Sequence, residues 1–224
     1  MRIERIIDLS LPLDAGTQVY PGDPQPRFEV HSTIPRDGFN LLSVHMGSQT
    51  GTHVDAPYHF DDLTLRIDEV PLERFTGPGV VVDARGVGAR EPVTWSHIAP
   101  VADRLGPASI VLLHTGWSTH YGTGRYFDNP FLDADACRQL LERGVRTIGI
   151  DAINIDETPD DEHAGIGFPV HHLIAQAGGV ICENLTNLAA IDLADPWISM
   201  LPLAFQKADG APVRAVAMQV SAVE

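Results

Sequence analysis

The sequence predicts a mixed α/β fold with more strand than helix, arranged as one domain over residues 1–224. Two observations support this fold class. Short apolar runs rich in Val, Ile and Leu, at 79–82, 109–113, 147–150 and 180–182, are typical of strands buried on both faces. Only three segments carry helix signals. With 44% hydrophobic residues, the chain can build its own core.

The first part of the chain predicts strands separated by turns. A strand is expected at residues 3–9, and a stiff loop follows at 20–26, where three prolines fix φ and remove amide donors. Two further strands are predicted at 27–34 and 41–46, with Pro35-Arg-Asp-Gly as the turn between them.

Three helices are predicted from their start and stop signals. The first begins at Thr94 or Ser96 and runs to about Leu105, before Gly106-Pro107. The second runs from the cap Asp133 through Glu142, and Gly144 ends it. Pro169 opens the third, which Gly178-Gly179 ends.

The last part of the chain predicts a C-terminal β-hairpin. Apolar segments at 200–206 and 213–220 flank Asp209-Gly210, and an Asp-Gly pair between two such segments is a strong turn signal.

Composition excludes several classes of function. Asp and Glu total 30 against 15 Lys and Arg, which gives a net charge of −15. Such a chain repels nucleic-acid phosphates and anionic membranes. No apolar run is long enough to span a bilayer, and the N-terminus has no signal-peptide pattern. The two cysteines form no CxxC motif and are expected to be reduced, so we expect a cytoplasmic protein.

Residues 49–59, Gln-Thr-Gly-Thr-His-Val-Asp-Ala-Pro-Tyr-His, contain the strongest functional signal. Gly51 and Pro57 disfavour a helix, and in an extended backbone His53 and Asp55 point to the same side. Imidazole and carboxylate on one side form half of a divalent-metal site. If the backbone stays extended on both sides, Gln49 and His59 point to the same side as His53 and Asp55.

Two more ligands are expected from the third helix and the strand after it. His171 lies in the first turn of that helix, and Glu183 lies at the end of the strand. A helix that folds back along a strand brings its start near the far end of that strand, so the two side chains can converge on His53 and Asp55. Tyr20, Trp117 and Tyr121 are candidates for an aromatic substrate pocket, with core packing as the alternative for each.

The segment Gly51-Thr-His-Val-Asp-Ala-Pro-Tyr-His-Phe resembles the signature of the cyclase superfamily, which contains bacterial kynurenine formamidase and isatin hydrolase. The resemblance extends over nearly the whole chain. Its further landmarks are Asp8-Leu-Ser, Tyr20-Pro-Gly-Asp-Pro, Leu113-His-Thr-Gly-Trp, Gly149-Ile-Asp, Pro169-Val-His and Glu183-Asn-Leu.

The resemblance implies a swivelling β/β/α fold and a homo-oligomer, a dimer or tetramer, that uses one or two zinc or manganese ions. It implies that His53 and Asp55 bind the first ion, that Asp55 bridges to a second, and that His171 and Glu183 complete the second site. His59 becomes the general acid/base, and Tyr20 packs against the substrate ring.

Gln49 departs from the family pattern, which has a histidine four positions before the His that follows Thr. An amide oxygen is neutral and harder than imidazole. Glutamine in place of histidine should therefore weaken the binding of zinc and favour the binding of manganese or magnesium. Three alternatives are that His45 substitutes, that the first site is lost, or that Gln49 only donates a hydrogen bond beside the ligands.

Three functions follow. The first is a metal-dependent hydrolase that opens an amide, lactam or lactone bond of a small aromatic substrate with metal-activated water. The second is a ring-closing cyclase or dehydratase of natural-product assembly. The third is a metal-poor, non-catalytic binding relative.

Overall fold

The computed structural model describes residues 2–221, in which strands and helices alternate along the chain without a regular repeat. The strands are β1 (Arg2–Asp8), β2 (Arg27–Ser32), β3 (Leu41–His45), β4 (His53–Asp55), β5 (Thr76–Asp83), β6 (Pro92–Val93), β7 (Ile110–His114), β8 (Phe131–Leu132), β9 (Thr147–Ile150), β10 (Val180–Glu183), β11 (Trp197–Ser199), β12 (Gly210–Pro212) and β13 (Val216–Ser221). The α-helices are α1 (Ile34–Asp37), α2 (Trp95–Ile98), α3 (Ala134–Glu142) and α4 (Pro169–Gln176).

Nine strands of the described chain form one mixed sheet in the order β1-β13-β11-β5-β7-β9-β10-β4-β12. The central strands β5, β7, β9 and β10 are parallel, and the flanking strands are antiparallel. The parallel strands are the apolar runs predicted from the sequence. The predicted α/β class, with a mixed sheet and few helices, is confirmed.

Apolar clusters cover both faces of this sheet. Along β7, Val111 and Leu113 face one cluster, which includes α3 and α4, whereas Ile110 and Leu112 face the other. Alternation along a strand explains this division. Val54 faces the second cluster, so its neighbours on β4 point toward the side of α4.

Two of the predicted helices form at the predicted positions. Asp133 caps α3 by accepting hydrogen bonds from the amides of Asp135 and Ala136, and α4 starts at Pro169. The first predicted helix differs, because α2 ends at Ile98 and a 3₁₀ helix continues to Arg104. Pro100 lacks an amide hydrogen and crowds the preceding turn, so a regular α-helix cannot continue there.

The C-terminal segment forms the predicted antiparallel hairpin around Asp209-Gly210, with Pro202 bridging Val213 in the register of its strands, but the connection is a longer loop than a two-residue turn. β11 pairs with β13, whereas Gly210 begins β12, which pairs with β4. The amide of Ala56 donates to the carbonyl oxygen of Asp209 at 2.8 Å. This pairing places Asp209 beside the motif at 49–59.

Strands β2 and β3 form a separate two-stranded ribbon. In its register Phe28 lies opposite Val44, and Val30 lies opposite Leu42, so one face is apolar. None of the helices in residues 2–221 is long and apolar enough to cross a membrane.

Candidate metal centre and active site

Strand pairing brings three of the predicted ligands to one face of the sheet. In the antiparallel pair of β4 and β10, His53 lies opposite Glu183, and Asp55 lies opposite Ile181. His53 Nε2 is 3.4 Å from Asp55 Oδ1 and 3.6 Å from Glu183 Oε2. All three side chains are buried, and ligand atoms of the three lie within 4.8 Å of one another.

Helix α4 adds the fourth predicted ligand. His171 Nε2 is 3.4 Å from Glu183 Oε1 and 3.7 Å from Asp55 Oδ2. The two oxygens of Asp55 therefore face different histidines, with Oδ1 toward His53 and Oδ2 toward His171. Asp55 is thus a carboxylate that His53 and His171 share.

The second ring nitrogen of each histidine is held by the protein. His53 Nδ1 lies 2.8 Å from the carbonyl oxygen of Gly51. His171 Nδ1 lies 2.7 Å from Asp156 Oδ2, and the same carboxylate accepts the amide hydrogens of Val170 and His171 at the start of α4. These contacts direct both Nε2 atoms toward Asp55 and fix the ring orientation that metal-binding histidines require.

Asp55 gives the structural test of whether a cation fits. Both of its carboxylate oxygens are buried, and neither has a hydrogen-bond partner among the described residues. Burial alone would raise the pKa of Asp55, but the neighbouring histidines lower it, so the group is held as an anion. Burial lowers the pKa of His53, yet the carboxylates of Asp55 and Glu183 raise it to about 9. A buried carboxylate needs positive charge beside it, which either protonated imidazoles or, with both imidazoles neutral, a divalent metal can supply, so the residues fit a divalent metal.

His59 lies on a 3₁₀ turn directly after β4 and faces the same space. Its Nδ1 is 3.4 Å from Asp209 Oδ2. Burial lowers the pKa of His59, but the carboxylates of Asp209 and Asp55 raise it above its usual value. Burial raises the pKa of Asp209, whereas hydrogen bonds from His59, Ser48 and Gln49 hold it well below its usual range.

Gln49 also reaches this space. Its Nε2 donates to Asp209 Oδ2 at 2.8 Å, and its Oε1 is buried without a partner in the described residues. His45, the alternative to Gln49, is exposed on β3 and does not line the cavity. Its place on the polar face of the ribbon explains why it cannot substitute.

A cavity of about 230 Å³ opens above these groups. Tyr20 lines it, as expected, but Trp117 and Tyr121 do not, because Trp117 is buried in the core and Tyr121 packs against Tyr126. The cavity is lined by Tyr20, Asp23, Gln49, His53, His59, Phe60, Asn154, Phe168, His171 and Glu183.

Sequence reasoning missed several of these groups. Asn154 and Asp156 lie in the segment between β9 and α4. Their position shortly before the helix that carries His171 is the signal that could have indicated a role at the site. Asp23 lies in the proline-rich loop, and burial raises its pKa. The sequence predicts only a turn at Asp209, and its side chain reaches the site through the pairing of β12 with β4.

Comparisons with known proteins agree with this geometry. The cyclase family model matches residues 7–157. The kynurenine formamidase of Bacillus cytotoxicus is 33% identical over 221 residues, which cover 96% of this chain and 98% of that protein. The kynurenine formamidase of Bacillus mycoides is 34% identical with the same coverage.

Solved structures give the same result. Isatin hydrolase A from Labrenzia aggregata, bound to benzyl benzoate, matches with a TM-score of 0.85 and 28% identity over 96% of this chain and 93% of that chain. A structure described as a potential metal-dependent hydrolase with cyclase activity matches with a TM-score of 0.79 and 27% identity, over 97% of this chain and 99% of that chain. The chain therefore belongs to the cyclase family.

Proposed function

We propose that this protein is a metal-dependent hydrolase of carbon–nitrogen bonds other than peptide bonds, and that it cleaves an aryl formamide or a related cyclic amide. The carrying observation is the buried Asp55 carboxylate, which has no hydrogen-bond donor within residues 2–221 and faces His53 on one side and His171 on the other. Its kynurenine formamidase and isatin hydrolase relatives belong to the same reaction class.

We propose His53, Asp55, His171 and Glu183 as the ligands of one or two ions, zinc or manganese, with Gln49 Oε1 as an additional ligand. When bound, a divalent ion lowers the pKa of water and polarises a carbonyl group. The donor set combines imidazole nitrogens with carboxylate oxygens, which suits both metals.

His59 is proposed as the general acid/base. It lines the cavity, and its Nδ1 faces Asp209, so Nε2 is the nitrogen directed away from that carboxylate. An amine leaving group needs a proton, and an imidazole that lines the cavity can supply it.

The proposed substrate carries an aromatic ring. Tyr20, Phe60 and Phe168 line the cavity, and the rings of Phe60 and Phe168 lie 5.2 Å apart between centroids. Three aromatic side chains at one cavity favour a flat apolar group beside the scissile bond. Tyr20 is proposed to contact that group.

The other two functions have less support. A ring-closing cyclase would need the same metal, but the two Bacillus relatives described above are kynurenine formamidases. A metal-poor binding protein would need protonated imidazoles at His53 and His171 to balance the buried Asp55 carboxylate, whereas a divalent ion balances it with both imidazoles neutral.

The test uses the full chain after chelation and reconstitution with zinc or manganese. We expect metal retained on elemental analysis, and metal-dependent release of formate from N-formylkynurenine or ring opening of isatin. His59→Ala should keep the metal and lose about a hundredfold or more in kcat. His171→Ala should lose metal, whereas its exposed neighbour changed as His172→Ala should keep it. A protein that binds neither metal would refute the proposal.

We further propose a cytoplasmic homo-oligomer, dimer or tetramer, of one domain per chain. Both cysteines are free and buried, which suits a reducing compartment. The exposed apolar face of the ribbon formed by β2 and β3 supports self-association. The pairing of β1 with β13 supports a single domain, because it joins the two ends of the described chain.

A further inference from the structure

Asp209 holds an unusual position, because its backbone is fixed beside the proposed metal ligands. Gly210 pairs with Asp55 across β12 and β4, and the Asp209 carbonyl accepts the Ala56 amide hydrogen. Since these bonds fix the main chain on both sides, the Asp209 carboxylate has a defined starting point at the edge of the cavity.

Three side chains converge on this carboxylate. Ser48 Oγ donates to Oδ1 at 2.9 Å, and Gln49 Nε2 donates to Oδ2 at 2.8 Å. His59 Nδ1 lies 3.4 Å from the same Oδ2. Asp209 thus contacts both the residue at the position where the family has a ligand histidine and the proposed acid/base.

The contact with Gln49 decides which of its atoms faces the cavity. A primary amide can present either oxygen or nitrogen, but an ionised carboxylate only accepts hydrogen bonds. Nε2 must therefore face Asp209, which leaves Oε1 turned away from it. Oε1 is buried and lacks a partner in the described part of the chain, although Gln49 lines the cavity with His53.

The absence of a side chain at Gly210 makes room for the side-chain amide of Gln49. A Cβ atom built at Gly210 would lie 2.6 Å from Gln49 Nε2 and 2.8 Å from Oε1, closer than atoms can approach. The amide packs directly on the bare Cα atom. Gly210 and Asp209 together therefore determine both the position and the orientation of the Gln49 side chain.

We propose that Asp209 is a positioning residue that makes Gln49 a metal ligand by aiming Oε1 at the cation, and that the same carboxylate orients His59 for proton transfer. The proposal rests on the metal site proposed above. It explains how a glutamine can occupy a histidine position without loss of the site.

A double-mutant cycle on metal affinity tests the first part. Zinc and manganese are titrated into the apoprotein by calorimetry, for the wild type, Asp209→Ala, Gln49→Ala and the double variant. We expect Asp209→Ala to weaken binding by about tenfold, as outer-shell changes commonly do. In the Gln49→Ala background it should weaken binding by less than about twofold, because no amide remains to be oriented. Equal losses in both backgrounds would overturn the proposal, since simple removal of charge or structural damage acts whether or not Gln49 is present.

Two further variants complete the design. Asp68→Ala removes an exposed carboxylate that accepts the Lys207 amide hydrogen outside the cavity, and it should leave metal affinity unchanged. Asp209→Leu retains the side-chain size but can accept no hydrogen bond, and it replaces Asp209→Ala in the cycle if the alanine variant does not fold.

The second part is tested on kcat with the metal saturating. Asp209→Ala should lower kcat more than it changes KM, and it should add little to the loss caused by His59→Ala. Additive losses would refute the role toward His59. The metal cycle needs no substrate, so it remains decisive even if the proposed substrates are not turned over.

Discussion

At the scale of single residues, the site depends on how each donor atom is aimed. His53 and His171 each use Nδ1 for a protein oxygen, from Gly51 and Asp156 respectively, and thereby present Nε2 to Asp55. The Gln49 amide is held in a similar way. Its Nε2 donates a hydrogen bond to Asp209, and its Oε1 has no hydrogen-bond partner in the described residues. We therefore expect the chemistry of residue 49 to influence which metal the proposed site prefers.

Gln49→His should bind zinc more tightly, by about tenfold or more, because imidazole is a softer and stronger zinc ligand than an amide oxygen. Competition against a chelator of known affinity measures the change. Gln18→His, in a loop where Gln18 Nε2 bonds the Thr123 carbonyl oxygen, is the matched control and should leave zinc affinity as it was. Unchanged zinc affinity in Gln49→His would show that residue 49 does not contact the metal.

The two cysteines should be inert in the folded protein. Burial raises the pKa of Cys137 to about 12 and raises that of Cys182 well above its usual value, so neither forms the reactive thiolate near neutral pH. A thiol reagent such as dithionitrobenzoate should report no accessible thiol in the native state at pH 8 and both thiols after denaturation. Rapid labelling of the native protein would contradict the buried packing of α3 and β10.

At the scale of elements, the start of α4 is held beside the candidate site by Asp156, which lies outside the helix. Asp156 accepts the amide hydrogens of Val170 and His171 in the first turn, where a helix has unsatisfied donors and favours negative charge. It also holds the His171 ring. Helix position and ligand orientation therefore depend on one carboxylate.

Asp156→Ala should lower both stability and metal affinity. The loss of buried hydrogen bonds to charged acceptors predicts a decrease of about 1–3 kcal/mol in the free energy of unfolding, measured with urea. Asp133→Ala removes the equivalent carboxylate from α3, which does not reach the cavity, and should lower stability by about 1 kcal/mol without weakening metal binding. Equal metal affinity in the two variants would show that Asp156 does not influence metal binding.

Local signals predicted the elements that local forces determine. The cap at Asp133 and the proline at Pro169 were sufficient for α3 and α4, and the apolar runs were sufficient for the parallel strands. The Asp209-Gly210 pair correctly predicts the C-terminal hairpin but not its connection, which is longer than two residues because Gly210 pairs with β4. Likewise, Asp156 and Asp209 reach the site through tertiary contacts, which no spacing rule in the sequence encodes.

At the scale of the whole molecule, one apolar surface is left uncovered by the residues that the structure describes. The ribbon of β2 and β3 stands apart from the nine-stranded sheet, and its polar face carries Glu29 opposite Ser43. On its apolar face Val30 is 68% exposed and Leu42 is 50% exposed. An isolated two-stranded ribbon is marginally stable in water, so burial of this face would stabilise it.

The ribbon also connects to the site at both ends. The chain enters it from the loop that carries Tyr20 and Asp23 and leaves it toward Gln49. A second copy bound at the apolar face would therefore hold both cavity-lining segments in place. This gives self-association a consequence for catalysis as well as for stability.

Leu42→Asp should convert the proposed oligomer into monomers. Burial of a leucine contributes about 1.5–3 kcal/mol, and a symmetric interface would contain the change twice, with a carboxylate forced into apolar surroundings. Sedimentation equilibrium over a range of protein concentrations measures the mass. Ser43→Asp introduces the same group on the opposite face of the same strand and should leave the mass unchanged. A wild-type protein that stays monomeric throughout that range, or a Leu42→Asp variant that keeps the wild-type mass, would exclude this face of the ribbon as the interface.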